Sequence, residues 1–231
     1  MTDITITAND GGSFTGYLAK PAKTKAPGLL LIQEIFGVNK VMRGIADEFA
    51  KQGYLVLCPD LFWRQEPGIQ ITDQTEAEWQ KAFSLYQGFD QQKGVGDLIA
   101  SLETLRKHPD CSGKAGCVGY CLGGRLAFMT ATRTDANASV GYYGVMIDTL
   151  LHEKYSIANP LMLHIAGADH FVPPPVRKAM HDGLDDHPKV VLHDYPGEDH
   201  GFAAEMGKRR SEDAARAADG RTEAFLAEHL G

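Results

Sequence analysis

Gly119-Tyr120-Cys121-Leu122-Gly123-Gly124-Arg125 is the stretch on which the reading of this chain turns. A short apolar run, Lys114 to Tyr120, precedes it and reads as a strand; Leu126-Ala127-Phe128-Met129-Thr130-Ala131 follows and reads as a helix. Small residues two before and two after a nucleophilic side chain, at a strand-to-helix turn, make a nucleophile elbow. Glycine suits these places because the turn is tight and the nucleophile's backbone is strained. The turn sets the Cys121 thiol at a helix N-terminus, where the dipole favours thiolate. A glycine-rich turn around a buried, inert thiol has the same local pattern, since free cysteine is among the most buried residue types. Other segments must decide.

Two of them do. Ala166-Gly167-Ala168-Asp169-His170-Phe171-Val172-Pro173 follows an apolar strand, Leu161 to Ile165, and Pro196-Gly197-Glu198-Asp199-His200-Gly201-Phe202 follows another, Val190 to Tyr195. Both are loops at the C-terminal ends of predicted strands, where parallel sheets collect functional groups. Cys121, Asp169 and His200 come in the order nucleophile, acid, histidine, which is the chain order of an α/β-hydrolase triad. Histidine takes the nucleophile's proton and later protonates the leaving group; the aspartate fixes its tautomer. A further buried run, Gly28 to Ile32, ends in Gln33-Glu34-Ile35-Phe36-Gly37. In an α/β-hydrolase this loop and the residue after the nucleophile supply the oxyanion donors, which assigns the backbone N–H groups of Ile35 and Leu122. Glu34 ends a buried strand, and a carboxylate there needs a partner.

The rest of the chain alternates between strand and helix. Ile4 to Thr7 and Phe14 to Ala19 read as an N-terminal hairpin. Helix 41–52 precedes strand 54–58; 61–73 reads as a loop rich in proline, glycine and aromatics; helices are expected over 74–87 and 95–107, a strand over 138–143 and a closing helix over 211–229. Such repeated β–α units predict an α/β-hydrolase fold, a mostly parallel sheet with helices on both faces, in a single domain over residues 1–231. The basic cluster Lys208-Arg209-Arg210 reads as the opening of the last helix. His164 and His193 read as core histidines, His170 as a loop histidine and Cys117 as a small core side chain.

Taken together, Q-E-I-F-G, G-Y-C-L-G-G, D-H-F-V-P and the late H-G-F resemble the dienelactone hydrolase family, as do Gly94 to Leu98 and Val140 to Val145. The resemblance runs from about Ile4 to Leu226. It implies a cysteine hydrolase with a Cys121–His200–Asp169 triad, acting on a lactone or small ester through an acyl-enzyme. It also implies that Glu34 holds the resting thiol and helps to deprotonate it when substrate binds. One departure bears on substrate. The family holds a substrate carboxylate with two arginines, and the matching positions here are Trp79 and Ala204. Lys81, Arg125, Arg209 and Arg210 are the cations that could substitute, although a flexible lysine does not replace a bidentate arginine. Phe36, Trp79, Phe83 and Tyr143 are the candidate substrate-binding residues, and Trp79 points to an apolar or aromatic acyl pocket.

Composition narrows the partners. A net charge of −7 over 231 residues argues against nucleic acid, for which a basic face is expected. The N-terminus lacks a basic region followed by an apolar core, and no stretch approaches the length of a membrane helix. The four cysteines have no zinc-type spacing, so a reduced, cytoplasmic setting is expected, with no metal and no cofactor. A small-molecule ester or lactone and a monomer or small homo-oligomer complete the expectation. The alternatives are a broad carboxylesterase or thioesterase, and a redox-responsive binding protein whose Cys121 thiol is oxidised or pairs with Cys117.

Overall fold

A computed structural model describes residues 2–205 and 207–231. Its contacts divide the chain into two compact units, Met1–Ala115 and Gly116–Gly231. In the first, β1 (Thr2–Thr7) and β2 (Ser13–Ala19) form the expected antiparallel hairpin. Gly11 takes φ +90° in its turn, a conformation glycine adopts without cost. β2 lies antiparallel to β4 (Leu55–Pro59), which is parallel to β3 (Ala26–Ile32). β3 and β4 are apolar and almost wholly buried, as parallel strands covered by helices must be.

Three helices belong to this unit: α1 (Lys40–Lys51), α2 (Glu76–Gln87) and α3 (Gln91–Lys107). Each starts at a side chain that caps backbone N–H groups, namely Asn39, Thr75 and Asp90. α3 begins four residues before the expected 95. The Asp90 carboxylate accepts from Gln92 N and Lys93 N at 3.0 and 3.1 Å, and the Phe89 ring fills the space beside Gly94. Glycine there is a packing choice within the first turn and does not break the helix.

In the second unit β5 (Cys111–Tyr120, from Gly116 onward), β6 (Ser139–Tyr142), β7 (Leu161–Ala166) and β8 (Val190–Tyr195) run parallel in that order. All the pairings of the second unit are parallel, and the first adds the parallel pair β3–β4 beside its antiparallel N-terminal strands, in keeping with the expected α/β-hydrolase class. α4 (Leu122–Arg133) is buried from Leu122 to Thr132; α5 (Pro174–Leu184) and α6 (Glu212–Leu230) follow the last two loops. Register sets the loops level with one another. Tyr120 pairs with Tyr142, Tyr142 with His164 and His164 with His193, so successive strands release their chains at the same end of the sheet. The rings in this row pack on one another: Tyr120 stacks on Tyr142 at 4.6 Å, Tyr142 lies tilted against His164 at 4.3 Å, and His164 stacks on His193 at 5.8 Å.

One element was not anticipated and one expectation is corrected. A 3₁₀ helix spans Ile147–Ser156. And Lys208-Arg209-Arg210 lies ahead of α6, whose first turn carries Glu212 and Asp213. Acidic residues suit the positive end of the helix dipole and basic ones do not. Among the described residues no helix is long and apolar enough to cross a membrane.

Candidate active site

β5 ends at Tyr120 and α4 starts at Leu122, which leaves Cys121 alone in the turn with φ +58° and ψ −112°. Such a conformation costs a non-glycine residue about 1–3 kcal/mol and persists only where its surroundings impose it. Here Cys121 N donates to Tyr142 O at 3.0 Å, and Cys121 O accepts from Gly124 N and Arg125 N at 3.0 and 3.2 Å. A Cβ on Gly119 would run into the carbonyl of Gly123, and one on Gly124 into that of Tyr142. The turn therefore requires the glycines that flank it. Cys121 is partly exposed, whereas Cys58, Cys111 and Cys117 are buried. Burial pushes the Cys117 thiol up to about 11, against hydrogen bonds that include Ser139. That protonated thiol is a poor resolving partner for Cys121.

The loops after β7 and β8 bring Asp169 and His200 together. His200 Nδ1 lies 2.8 Å from Asp169 Oδ2, and Asp169 Oδ1 accepts the Phe171 N–H at 2.8 Å. Both carboxylate oxygens are thus engaged, and the side chain is fixed as well as charged. Asp169 also borders a small apolar cavity lined by Ile147, Leu163, Val172 and Met180, where a charge pair acts more strongly than in water. A side-chain hydrogen bond also links His200 to Cys121. Burial works against the imidazolium, yet the Cys121 thiolate charge and the Asp169 and Cys121 hydrogen bonds raise its pKa to about 10. Tyr143 meets the His200 ring edge-on at 5.1 Å and Phe171 at 4.9 Å; these rings screen it from solvent.

The contact that sequence reading misses is on the outer side of the same loops. Asp199 Oδ1 accepts the His200 N–H at 2.7 Å and sits 3.1 Å from His170 Nδ1, while Asp199 Oδ2 pairs with Arg209 at 3.4 Å. The His170 ring packs on Phe171 at 3.9 Å. A signal was present: aspartate directly before the histidine can reach the neighbouring backbone N–H. The two loops are laced to each other, so His170 does more than decorate its loop. Asp169, His170 and Asp199 also place three potential metal-ligand atoms within 4.8 Å of one another, but their atoms already serve the bonds just described.

His164 conforms to the core reading, whereas His193, which stacks on it, is half-buried. His164 reaches Tyr195 Oη at 2.8 Å and Thr222 Oγ1 at 2.9 Å, and burial holds its pKa down to about 3. It is a neutral structural link between β7, β8 and α6.

In the first unit, Glu34 and Ile35 follow directly on β3; Ile35 is buried and Glu34 half-buried. Phe36, Trp79 and Phe83 form one aromatic cluster. Phe36 meets Trp79 edge-on at 5.1 Å, and Trp79 stacks on Phe83 at 5.4 Å. Of the candidate substrate-binding residues, these three come together in this unit, and Tyr143 packs on His200 in the other.

Comparison with known proteins gives a consistent result. The profile of the dienelactone hydrolase family matches residues 14–230. A protein of Azospirillum brasilense is 50% identical over 100% of both chains. The carboxymethylenebutenolidase of Pseudomonas putida is 40% identical over 97% of this chain and 95% of its own. A solved structure from Klebsiella pneumoniae shares the fold at a TM-score of 0.87 and 22% identity, over 98% of each chain.

Proposed function

Because this chain belongs to the dienelactone hydrolase family and is a hydrolase acting on carboxylic ester bonds, we propose that it opens a lactone or small carboxylic ester through an acyl-enzyme on Cys121. The observation that carries this reading is the continuous chain from Asp169 through His200 to the partly exposed Cys121 in its strained turn.

In the proposed cycle the Cys121 thiolate attacks the substrate carbonyl carbon, and the carbonyl π electrons move to oxygen. Backbone N–H groups of Ile35 and Leu122 hold that oxyanion. Leu122 suits the role because the first N–H groups of a helix have no intrahelical acceptor; each such donor is worth about 3 kcal/mol. As the oxyanion collapses, the C–O bond breaks and the His200 imidazolium protonates the leaving alkoxide. Neutral His200 then takes a proton from water, whose oxygen attacks the thioester; Cys121 leaves as thiolate and the acid is released. Asp169 keeps the Nδ1 proton in place throughout and stabilises the imidazolium. Glu34 is assigned the resting thiol, by the family resemblance and by its place one residue before Ile35.

Steady-state hydrolysis of dienelactone and p-nitrophenyl acetate by freshly reduced protein, beside Cys121→Ala, tests the reading. Turnover lost in the variant supports it. Equal turnover in both proteins sinks it.

A further inference from the structure

Cys121 has a strained neighbour. Tyr143, directly after β6, takes φ +37°, and a non-glycine residue keeps such a backbone only where its surroundings impose it. Three contacts tie this stretch to the triad. Tyr142 O accepts the Cys121 N–H at 3.0 Å, and the Tyr143 ring meets His200 at 5.1 Å. Gly144 lies so close to Gly124 and Arg125, in the first turn of α4, that no Cβ fits. Residues 142–144 thus touch the nucleophile's turn, the histidine and the helix that follows the nucleophile. Tyr143 N donates to His164 O at 2.8 Å, which fixes the backbone from the β7 side. The Tyr142 side chain is fixed from α6.

Tyr142 Oη donates to Asp219 Oδ1 at 3.0 Å and lies 2.6 Å from Thr222 Oγ1. Thr222 Oγ1 is 2.9 Å from His164 Nε2, and His164 Nδ1 is 2.8 Å from Tyr195 Oη, which accepts from Arg221 at 2.9 Å. Tyr142, His164 and Thr222 are at most 1% exposed, so their polar atoms must find partners within the protein. The proton positions follow. The Tyr142 proton goes to Asp219, so Thr222 supplies the one in the 2.6 Å contact. Thr222 then accepts from His164 Nε2–H, and neutral His164 accepts at Nδ1 from the Tyr195 hydroxyl. Arg221 can only donate, which suits the far end. Every donor points the same way, from Arg221 to Asp219, and bonds ordered in one direction polarise and strengthen one another. Both ends of the chain and its middle hydroxyl belong to α6, and the proposed cycle uses none of them.

We infer that Asp219 and Thr222 are positioning residues for the hydrolysis: by fixing the Tyr142 hydroxyl, α6 holds residues 142–144 in the strained path that sets the Cys121 turn and the His200 ring. This rests on the Cys121 reading above. Two measurements test it. Heteronuclear NMR of the labelled imidazole rings finds His164 as the Nε2–H tautomer. Steady-state hydrolysis of p-nitrophenyl acetate then compares the wild type with Thr222→Val, Tyr142→Phe and Thr222→Ser. Thr222→Val and Tyr142→Phe break the chain at nearly constant volume, and each lowers kcat about tenfold with KM changed by less than about twofold. Tyr142→Phe keeps the ring that stacks on Tyr120, so it serves if Thr222→Val fails to fold. Thr222→Ser keeps the hydroxyl and returns kcat to within about twofold of wild type. A packing role alone would lower Tm and leave kcat where it was in every folded variant. Wild-type kcat in folded Thr222→Val or Tyr142→Phe, a Thr222→Ser as slow as Thr222→Val, or an Nδ1–H tautomer at His164 overturns the inference while Cys121-dependent hydrolysis stands. Hydrolysis that survives Cys121→Ala overturns the underlying reading and the inference with it.

Discussion

Replacing Asp169 by asparagine changes one atom, and the structure says what that atom does. Asp169 is 2% exposed; one oxygen takes the Phe171 N–H at 2.8 Å and the other the His200 Nδ1–H at 2.8 Å. The asparagine oxygen stays with Phe171, whose N–H still needs an acceptor. Its NH2 group then faces His200 Nδ1, which has to accept, so the ring proton moves to the nitrogen beside Cys121. His200 cannot then serve as the base. Taking the charge from one side of a buried pair costs about 3–5 kcal/mol, and each 1.36 kcal/mol is about tenfold in rate. A fall of roughly 10²–10⁴ in kcat is therefore expected, with little change in KM. The pH profile gives a second reading. In the wild type His200 stays protonated up to about 10, so acid catalysis of alkoxide departure fails only as the pH passes that value. Loss of the aspartate removes part of what favours the imidazolium, and the alkaline limb moves to lower pH. The assay is kcat/KM for p-nitrophenyl acetate from neutral pH to above the His200 value, with thermal unfolding as the folding control. A well-folded variant within about fivefold of wild type, with its alkaline limb unmoved, would refute this account of Asp169.

Three further outcomes are expected. Gly119→Ala forces a Cβ against the Gly123 carbonyl; overpacking of this kind costs about 1–3 kcal/mol, so calorimetry should show Tm lowered by roughly 2–12 °C, and an unchanged Tm would contradict the elbow geometry. Arg64→Met strips two hydrogen bonds from Asp97, which is 1% exposed, leaving the Trp63 indole N–H; a loss of about 3 kcal/mol lowers Tm by roughly 6–12 °C, again by calorimetry. Asp199→Ala removes the acceptor of the His200 N–H and the partner of both His170 and Arg209. It should lower kcat by about tenfold, whereas His170→Ala, which breaks only an exposed pair, should cost less than about fivefold. Equal effects of the two in steady-state kinetics would show that the backbone bond is not what positions His200.

Much of this was open to sequence reading because it is local. The elbow shows in Gly119, Cys121 and Gly123 because steric crowding at a strand–helix turn admits few residues. The buried runs in β3, β4 and β7 announce themselves because a strand covered on both faces must be apolar throughout. What stayed hidden depends on partners distant in sequence. The Asp199 bridge joins residues 29 apart to His170 and 10 apart to Arg209, and no period in the sequence encodes it. The 3₁₀ helix Ile147–Ser156 packs chiefly against α4 and α5, and that packing overrides its weak local signal. Lys208 to Arg210 misled because a charge run looks alike before a helix and inside one; the acidic pair Glu212 and Asp213 marks the true start.

The central claim is that the bond-making atom is the Cys121 sulfur. It is tested most directly by quenching the protein in acid during turnover of p-nitrophenyl acetate and mapping the added mass by peptide mass spectrometry. One acetyl group on the peptide that contains Cys121, absent from Cys121→Ala, is the predicted result. Continued turnover with the acetyl group on another residue, or undiminished turnover in Cys121→Ala, would contradict the account.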